Sequence, residues 1–229
     1  MLFTAKAKTD MVYKIMNINS IDKEMTQKYF PMLSEMRRQK ISEMKTARER
    51  AIIFSSEILA RQCLSELFDA PEFSFSVLCS PDSKSILGNF SGNICIVTNG
   101  DYVACAADIG PVGISLKASE AFSFQDAQKN FTDSEIRYIF SDSTYSFSQI
   151  VNMTHISEEA VCEKFAIMSA LKEAQFKASG RGIRENSQKT EFTITNGVAQ
   201  CSASAYKVEV LEKDALSGFI VSVVVKHEQ

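Results

Sequence analysis

The run of residues 157–183, SEEAVCEKFAIMSALKEAQFKASGRGI, constrains the fold more than any other stretch. Ser157 with Glu158 and Glu159 reads as a helix start, a capping hydroxyl followed by acids at the positive end of the helix dipole. Gly180 and Gly182, flanking Arg181, read as its stop. At about 100° per residue, Cys162, Phe165, Ile167, Met168, Leu171, Ala174 and Phe176 fall on all sides of the wheel. A helix that is apolar all round is a buried one. Two late charges break that pattern: Glu173 projects between Cys162 and Ala166, and Lys177 between Ala166 and Ala170. A carboxylate at such depth is costly unless a cation meets it. The plainest partner is an i,i+4 Glu-to-Lys pair worth about 0.2–0.5 kcal/mol.

What surrounds this helix is an ordinary globular chain. Its 229 residues suffice for one large domain or two small ones, with 45% hydrophobic and 23% charged residues. A net charge of −3 argues against a nucleic-acid partner, and no segment reaches the ~20 apolar residues of a membrane span. The opening MLFTAKAKTD lacks the apolar core of a signal peptide, which implies a cytoplasmic protein. Six dispersed cysteines without a CxxC imply free thiols rather than zinc or disulfides. With only His155 and His227, Ser-His or Cys-His catalysis has little to draw on.

Taken in order, residues 10–19 read as a strand, 20–32 as a polar helical segment and 33–67 as continuously helix-compatible. The early part of that long stretch is basic: Arg37, Arg38, Lys40, Lys45, Arg48 and Arg50, interleaved with Glu35, Glu43 and Glu49. It reads as a solvated face or as a landing place for phosphates or an acidic partner. Residues 73–78 alternate like a strand. Residues 94–98 and 102–106 flank Asn99-Gly100 and predict a hairpin with a type I′ turn. A further short strand covers 111–116. Thr132-Asp133-Ser134-Glu135 is a capping box opening a short helix, and a polar linker spans 141–148. After the organising helix, 191–195 and 198–202 flank a second Asn-Gly, and strands close the chain at 205–211 and 218–226. The fold class this implies is α+β: two pseudo-symmetric subdomains, residues 1–107 and 108–229. Each is a small, mainly antiparallel sheet on a long helix, with a ligand cleft expected between them.

The motif itself is Phe165-x-x-x-Ser169-x-x-Lys172-Glu173-Ala174-x-x-Lys177-x-x-Gly180-x-Gly182. It resembles the signature F-x-x-x-W-x-x-K-E-A-x-x-K-x-x-G-x-G of 4′-phosphopantetheinyl transferases of the surfactin-synthetase-activating type. Upstream, residues 98–106 followed by Gly113-Ile114-Ser115-Leu116-Lys117 look like that family's S-H-S…G-x-D-x-E block, and Phe131-Thr132-x-x-Glu135 like its F-[ST]-x-x-E. The resemblance implies transfer of the phosphopantetheine arm of coenzyme A to a serine of an acyl or peptidyl carrier protein, with Mg²⁺ on the diphosphate. Carried onto matching positions, it implies catalytic roles for Glu173, Lys177 and Lys117 and metal ligation by Glu173 and Ser115. It further implies coenzyme A contacts from Arg48, Arg50, Thr98, Lys172 and Lys177. Such chemistry rests on charge neutralisation and alignment of the attacking hydroxyl.

The sequence departs from that pattern where the metal would sit. The Asp and Glu of G-x-D-x-E are Ser115 and Lys117, the His of S-H-S is Thr98, and the Trp is Ser169. Asp101, Asp108 and Glu120 are the nearest replacement carboxylates. Lys117 has two readings: an ammonium that replaces the metal's charge, or a remnant that merely satisfies Glu173. Both predict a Lys117–Glu173 ion pair. The functional expectation is a phosphopantetheinyl transferase with reduced or absent activity. The alternative is a non-catalytic coenzyme A or carrier-protein binding protein of the same fold, and the third reading is an interaction subunit. Phe122, Phe124, Phe131, Phe140 and Phe147 read either as core or as an apolar patch for docking a carrier.

Overall fold

Two long helices, each laid on a three-stranded sheet, carry the architecture. The computed structural model describes residues 11–79, 85–87, 91–180, 187–216 and 218–227. The chain divides into two compact units, Met1–Ile114 and Ser115–Gln229.

In the first unit, β1 (Met11–Asn17) leads into α1 (Lys23–Tyr29), α2 (Glu35–Glu43) and α3 (Ala47–Phe68). The stretch expected to be one continuous helix is broken at Met44–Thr46. Thr46 is an N-cap of its own, in a full capping box with Glu49, so a new helix starts there. Arg50 Nη1 then donates to the Met44 carbonyl left at the end of α2, at 2.8 Å. The second half of α3 buries Leu59, Cys63, Leu64 and Leu67 in one cluster with Val103 and Cys105 of the sheet. Full burial of each such aliphatic chain is worth about 1.5–3 kcal/mol. The strand expected at 73–78 begins as a single 3-10 turn, Glu72–Ser74, before β2 (Val77–Cys79) pairs antiparallel with β3 (Ser85–Leu87).

The sheet under α3 has the order β1-β5-β4, formed with β4 (Asn93–Asn99) and β5 (Tyr102–Asp108). Asn99 pairs with Tyr102, so the hairpin loop is Gly100-Asp101 rather than Asn99-Gly100. Only Gly100 of the two has positive φ, 55°, which is the pattern of a type II′ turn and corrects the expected I′. The I′ signature belongs instead to the second Asn-Gly, where Asn196 and Gly197 have φ of 51° and 79°.

β6 (Val112–Ala118) crosses the boundary of the units and starts the second sheet, of order β6-β10-β9. Next come α4 (Phe124–Asn130), α5 (Asp133–Ile139), α6 (Phe147–Ile150) and α7 (Glu159–Ser179). α7 packs on the sheet chiefly through β10 (Phe219–Lys226), which pairs antiparallel with β9 (Tyr206–Leu216). β7 (Phe192–Thr195) and β8 (Val198–Cys201) form a separate hairpin. No residue of α7 from Val161 to Ser179 is fully exposed, as its all-round apolar pattern requires. Its start differs from expectation: Glu158, not Ser157, is the N-cap, and no side chain caps the helix. The Glu158 carboxylate turns away to accept from Ser143 Oγ at 2.6 Å and from the Thr144 amide at 2.8 Å. The capping box at Thr132 is formed as the sequence indicates.

Aromatic packing fills the second unit. The Phe165 ring stacks on Phe122 at 3.8 Å and meets Phe131 edge-on at 5.4 Å. Phe122, Phe124, Phe131 and Phe140 are buried, which corrects the notion of a docking patch built from them. Of that set Phe147 alone lies open, 61% exposed. Cys63, Cys95, Cys105, Cys162 and Cys201 are free thiols. Among the described residues no helix is long and apolar enough to cross a membrane.

Candidate site: two ammoniums on one carboxylate

Glu173 lies on α7, and its carboxylate meets two cations. Lys117 Nζ, reaching from β6, stands 2.5 Å from Oε2; Lys177 Nζ, one turn along α7, stands 2.6 Å from Oε1. The strand supplies one partner and the helix period the other. Burial pushes the Glu173 carboxyl up, but the charge of Lys177, the hydrogen bonds from Lys117 and Lys177 and the charge of Lys117 outweigh it. Its pKa falls below the ordinary 4.5. Glu173 is therefore a carboxylate at neutral pH. The cluster is also open to water, since the side chains of Lys117, Glu173 and Lys177 are 37%, 21% and 24% exposed.

The other expected ligand of a metal, Ser115, lies two residues before Lys117 on β6. Its Oγ is fully buried and has no hydrogen-bond partner among the described residues. One carboxylate and one hydroxyl are a thin donor set for Mg²⁺, which favours six oxygens at about 2.0–2.1 Å. Both oxygens of Glu173 already hold ammoniums, and a divalent cation beside those two charges would be repelled. The residues present do not fit the metal that the resemblance implies. Asp101, Asp108 and Glu120, the candidate replacements, do not complete a site: among the described residues no group of three or more His, Cys, Asp or Glu is placed to hold a metal.

Lys172, the neighbour of Glu173 in the motif, points elsewhere. Its ammonium is 2.9 Å from Glu135 Oε1, with side chains 5% and 0% exposed, and it donates to the Thr190 carbonyl. Glu135 also accepts the amides of Phe192 at 2.8 Å and Thr132 at 2.9 Å. Burial draws the Lys172 pKa down, and the hydrogen bond and charge of Glu135 oppose that. Successive residues of α7 thus face opposite ways: Glu173 to solvent-reachable cations, Lys172 into a sealed pair that ties α7 to α5 and β7.

The residues expected to contact coenzyme A in the first unit are placed as follows. Arg48, in the first turn of α3, has its Nε 3.1 Å from Asp101 Oδ1 and donates to the Gly100 carbonyl. That guanidinium, followed by a hydrogen bond from Asn19, holds the Asp101 carboxyl below its usual range. Arg50 is exposed and spends Nη1 on Met44, and Thr98 is exposed on β4. A hollow of about 460 Å³ in this unit, lined among others by Lys28, Met32, Arg61, Phe73 and Phe75, contains none of the expected site residues.

Sequence reasoning missed a second charge cluster. Arg37, read as part of a solvated basic face, is 7% exposed, and its Nε meets Glu57 Oε2 at 3.3 Å. Glu57, fully buried, also holds Arg61 at 2.8 Å. Arg61 spends the rest of its fork on the carbonyls of Glu72, Phe75 and Met32, at 3.1, 2.7 and 2.8 Å. The signal existed in the sequence: Glu57 and Arg61 stand i,i+4 in the apolar half of α3, the pattern that drew attention to Glu173 and Lys177.

No family model and no curated protein matches the chain. Solved structures do. One is the crystal structure of holo-acyl-carrier-protein synthase from Thermotoga maritima, similar at 24% sequence identity with a TM-score of 0.38. The match covers 52% of this chain and 64% of the synthase, less than two thirds of its length. What that enzyme does remains a statement about that enzyme.

Proposed function

We propose that this chain is a coenzyme A-binding protein of the phosphopantetheinyl transferase class, directed at an acyl or peptidyl carrier protein, in which transfer is reduced or absent. The observation that carries the reading is the cluster itself: the Glu and the second Lys of the motif, Glu173 and Lys177, stand with Lys117 in one water-accessible group.

In this reading the Lys117 and Lys177 ammoniums neutralise the diphosphate, and Glu173 holds both in position. Lys172, locked against Glu135, acts as a positioning residue for α7 rather than as a direct ligand. Metal coordination of the diphosphate that is cleaved is ordinarily worth several kcal/mol of transition-state stabilisation. Its carboxylates are replaced here by Ser115 and Lys117, which favours the non-catalytic binding protein over the efficient transferase.

Calorimetric titration with coenzyme A tests the reading, with micromolar binding expected. Absence of binding, with and without Mg²⁺, sinks it and leaves a fold kept for protein contacts. Turnover is separated from binding by incubating the protein with coenzyme A and an apo carrier protein and weighing the carrier by mass spectrometry. The expected result is little or no added phosphopantetheine.

A further inference from the structure

We propose that the hollow of about 460 Å³ in the first unit is a binding site for a small amphipathic carboxylate, an apolar or aromatic body that carries one acid group. None of its residues takes part in the coenzyme A reading.

One side chain holds the hollow open. Arg61 Nη2 donates to the Met32 carbonyl at 2.8 Å on one wall, and Nη1 donates to the carbonyls of Glu72 and Phe75, at 3.1 and 2.7 Å, on the other. The wall at Pro31 and Met32 and the wall from Phe73 to Val77 are thus bolted to the same buried guanidinium, which Glu57 fixes in turn from within α3. Walls already in place need little further ordering when a ligand enters. The volume lies within the roughly 300–1,000 Å³ of small-molecule pockets.

Pro31, Met32, Phe73, Phe75 and Val77 give the hollow its apolar surface. Phe75 and Val77 are buried, but Phe73 is 72% exposed, the most exposed large hydrophobic side chain among the described residues. An aromatic ring left in water beside an apolar hollow gains by covering an apolar ligand there.

Charge decides what else the ligand carries. Lys28 and Arg61 line the hollow; Lys28 pairs with Glu72 at 2.7 Å, and Arg61 shares Glu57 with Arg37. Three cations face two carboxylates, so the local field favours an anion. Arg61 has spent its fork and acts only through its charge. Lys28 spends two of its three N–H donors, on Glu72 and on Tyr29 Oη at 3.1 Å, and with its side chain 52% exposed it has the third to offer. A water-accessible ammonium beside apolar walls is the complement of an apolar acid. A bare phosphate or chloride would leave the walls unused, and an alcohol would leave the ammonium unused.

Calorimetric titration of the full chain with phenylbutyrate, and with phenylbutanol as its uncharged counterpart, is the test. The acid is expected to bind at millimolar concentration or below, the range open to a ligand of so few atoms, and the alcohol about fivefold more weakly. Lys28→Gln should weaken the acid by about fivefold and leave the alcohol unchanged, as loss of a charged contact implies. Phe73→Ala, at an exposed position, should weaken both by about threefold or more. Thermal melts of the two variants confirm that they fold.

No binding of the acid at millimolar concentration overturns the proposal, as does equal binding of acid and alcohol. An acid affinity that neither substitution moves also overturns it, because the ligand then sits elsewhere on the chain. Neither Lys28 nor Phe73 belongs to the Lys117–Glu173–Lys177 cluster, so failure here leaves the coenzyme A reading standing. Phenylbutyrate bound as expected by a chain that ignores coenzyme A upholds this site and sinks that reading alone.

Discussion

The two long helices carry the same charge motif and use it differently. On α3, Glu57 holds Arg61 at i+4 and Arg37 from α2; on α7, Glu173 holds Lys177 at i+4 and Lys117 from β6. In both, one carboxylate serves two cations. Around Glu57 the side chains are sealed, at 1% exposure for Glu57, 4% for Arg61 and 8% for Arg37. Arg61's fork is saturated by the carboxylate and three backbone carbonyls, so it pins the turns at 30–32 and 72–74 onto α3. Around Glu173 the cations are flexible lysines, 24–37% exposed. The motif alone does not separate a sealed pin from a water-accessible cluster; the residue type of the cation and what packs over it do.

That contrast breaks first at Glu57. Glu57→Gln leaves two buried guanidiniums with one neutral acceptor and is expected to cost roughly 3–5 kcal/mol in urea denaturation. Glu173→Gln, with its partners free to reach water, is expected to cost about 1 kcal/mol or less. Equal losses would mean the two clusters do the same job.

Next in size is Arg61→Lys, which strands backbone carbonyls that only a planar fork reaches together. We expect a loss of at least about 2 kcal/mol by the same assay. Lys117→Arg should leave stability within about 0.5 kcal/mol, as befits a partly exposed position.

A sealed pair in the second unit sharpens the comparison. Lys172→Met removes one partner of Glu135 but leaves the amides of Phe192 and Thr132, so a loss of about 1–3 kcal/mol is expected, below that of Glu57→Gln. Acid should touch the second cluster gently. The Glu173 pKa is depressed in the fold, so its contribution is present above 4.5 and is lost as pH falls through the lower folded value. Urea midpoints of the parent and of Glu173→Gln should accordingly converge as pH drops below 4.5. Midpoints that stay apart in acid would show that Glu173 stabilises by packing and not by charge.

Much of this was legible beforehand because it is local. The burial of α7 follows from an apolar pattern with no polar face, and the Thr132 capping box from four adjacent residues. The Glu173–Lys177 pair follows from one helical turn. The Lys117–Glu173 pair was readable only because a motif match set two distant positions side by side. Other local signals were misread through competition. Thr46 and Glu49 restart a helix inside a stretch whose propensity ran on unbroken, and Glu158 gave its carboxylate to Ser143 and Thr144 rather than letting Ser157 cap the helix.

By itself the sequence determined the long helix α7, the α+β class, and the Glu173 carboxylate with lysines at positions where a metal would need acids. Only the tertiary structure decided which charges are sealed. Arg37 reads as part of a solvated or phosphate-binding face and Lys172 as a coenzyme A contact, yet both end within reach of a buried carboxylate contributed from another element. Spacing along a helix fixes which residues share a face. Depth depends on what packs over that face, and that is set by chain segments far away in sequence.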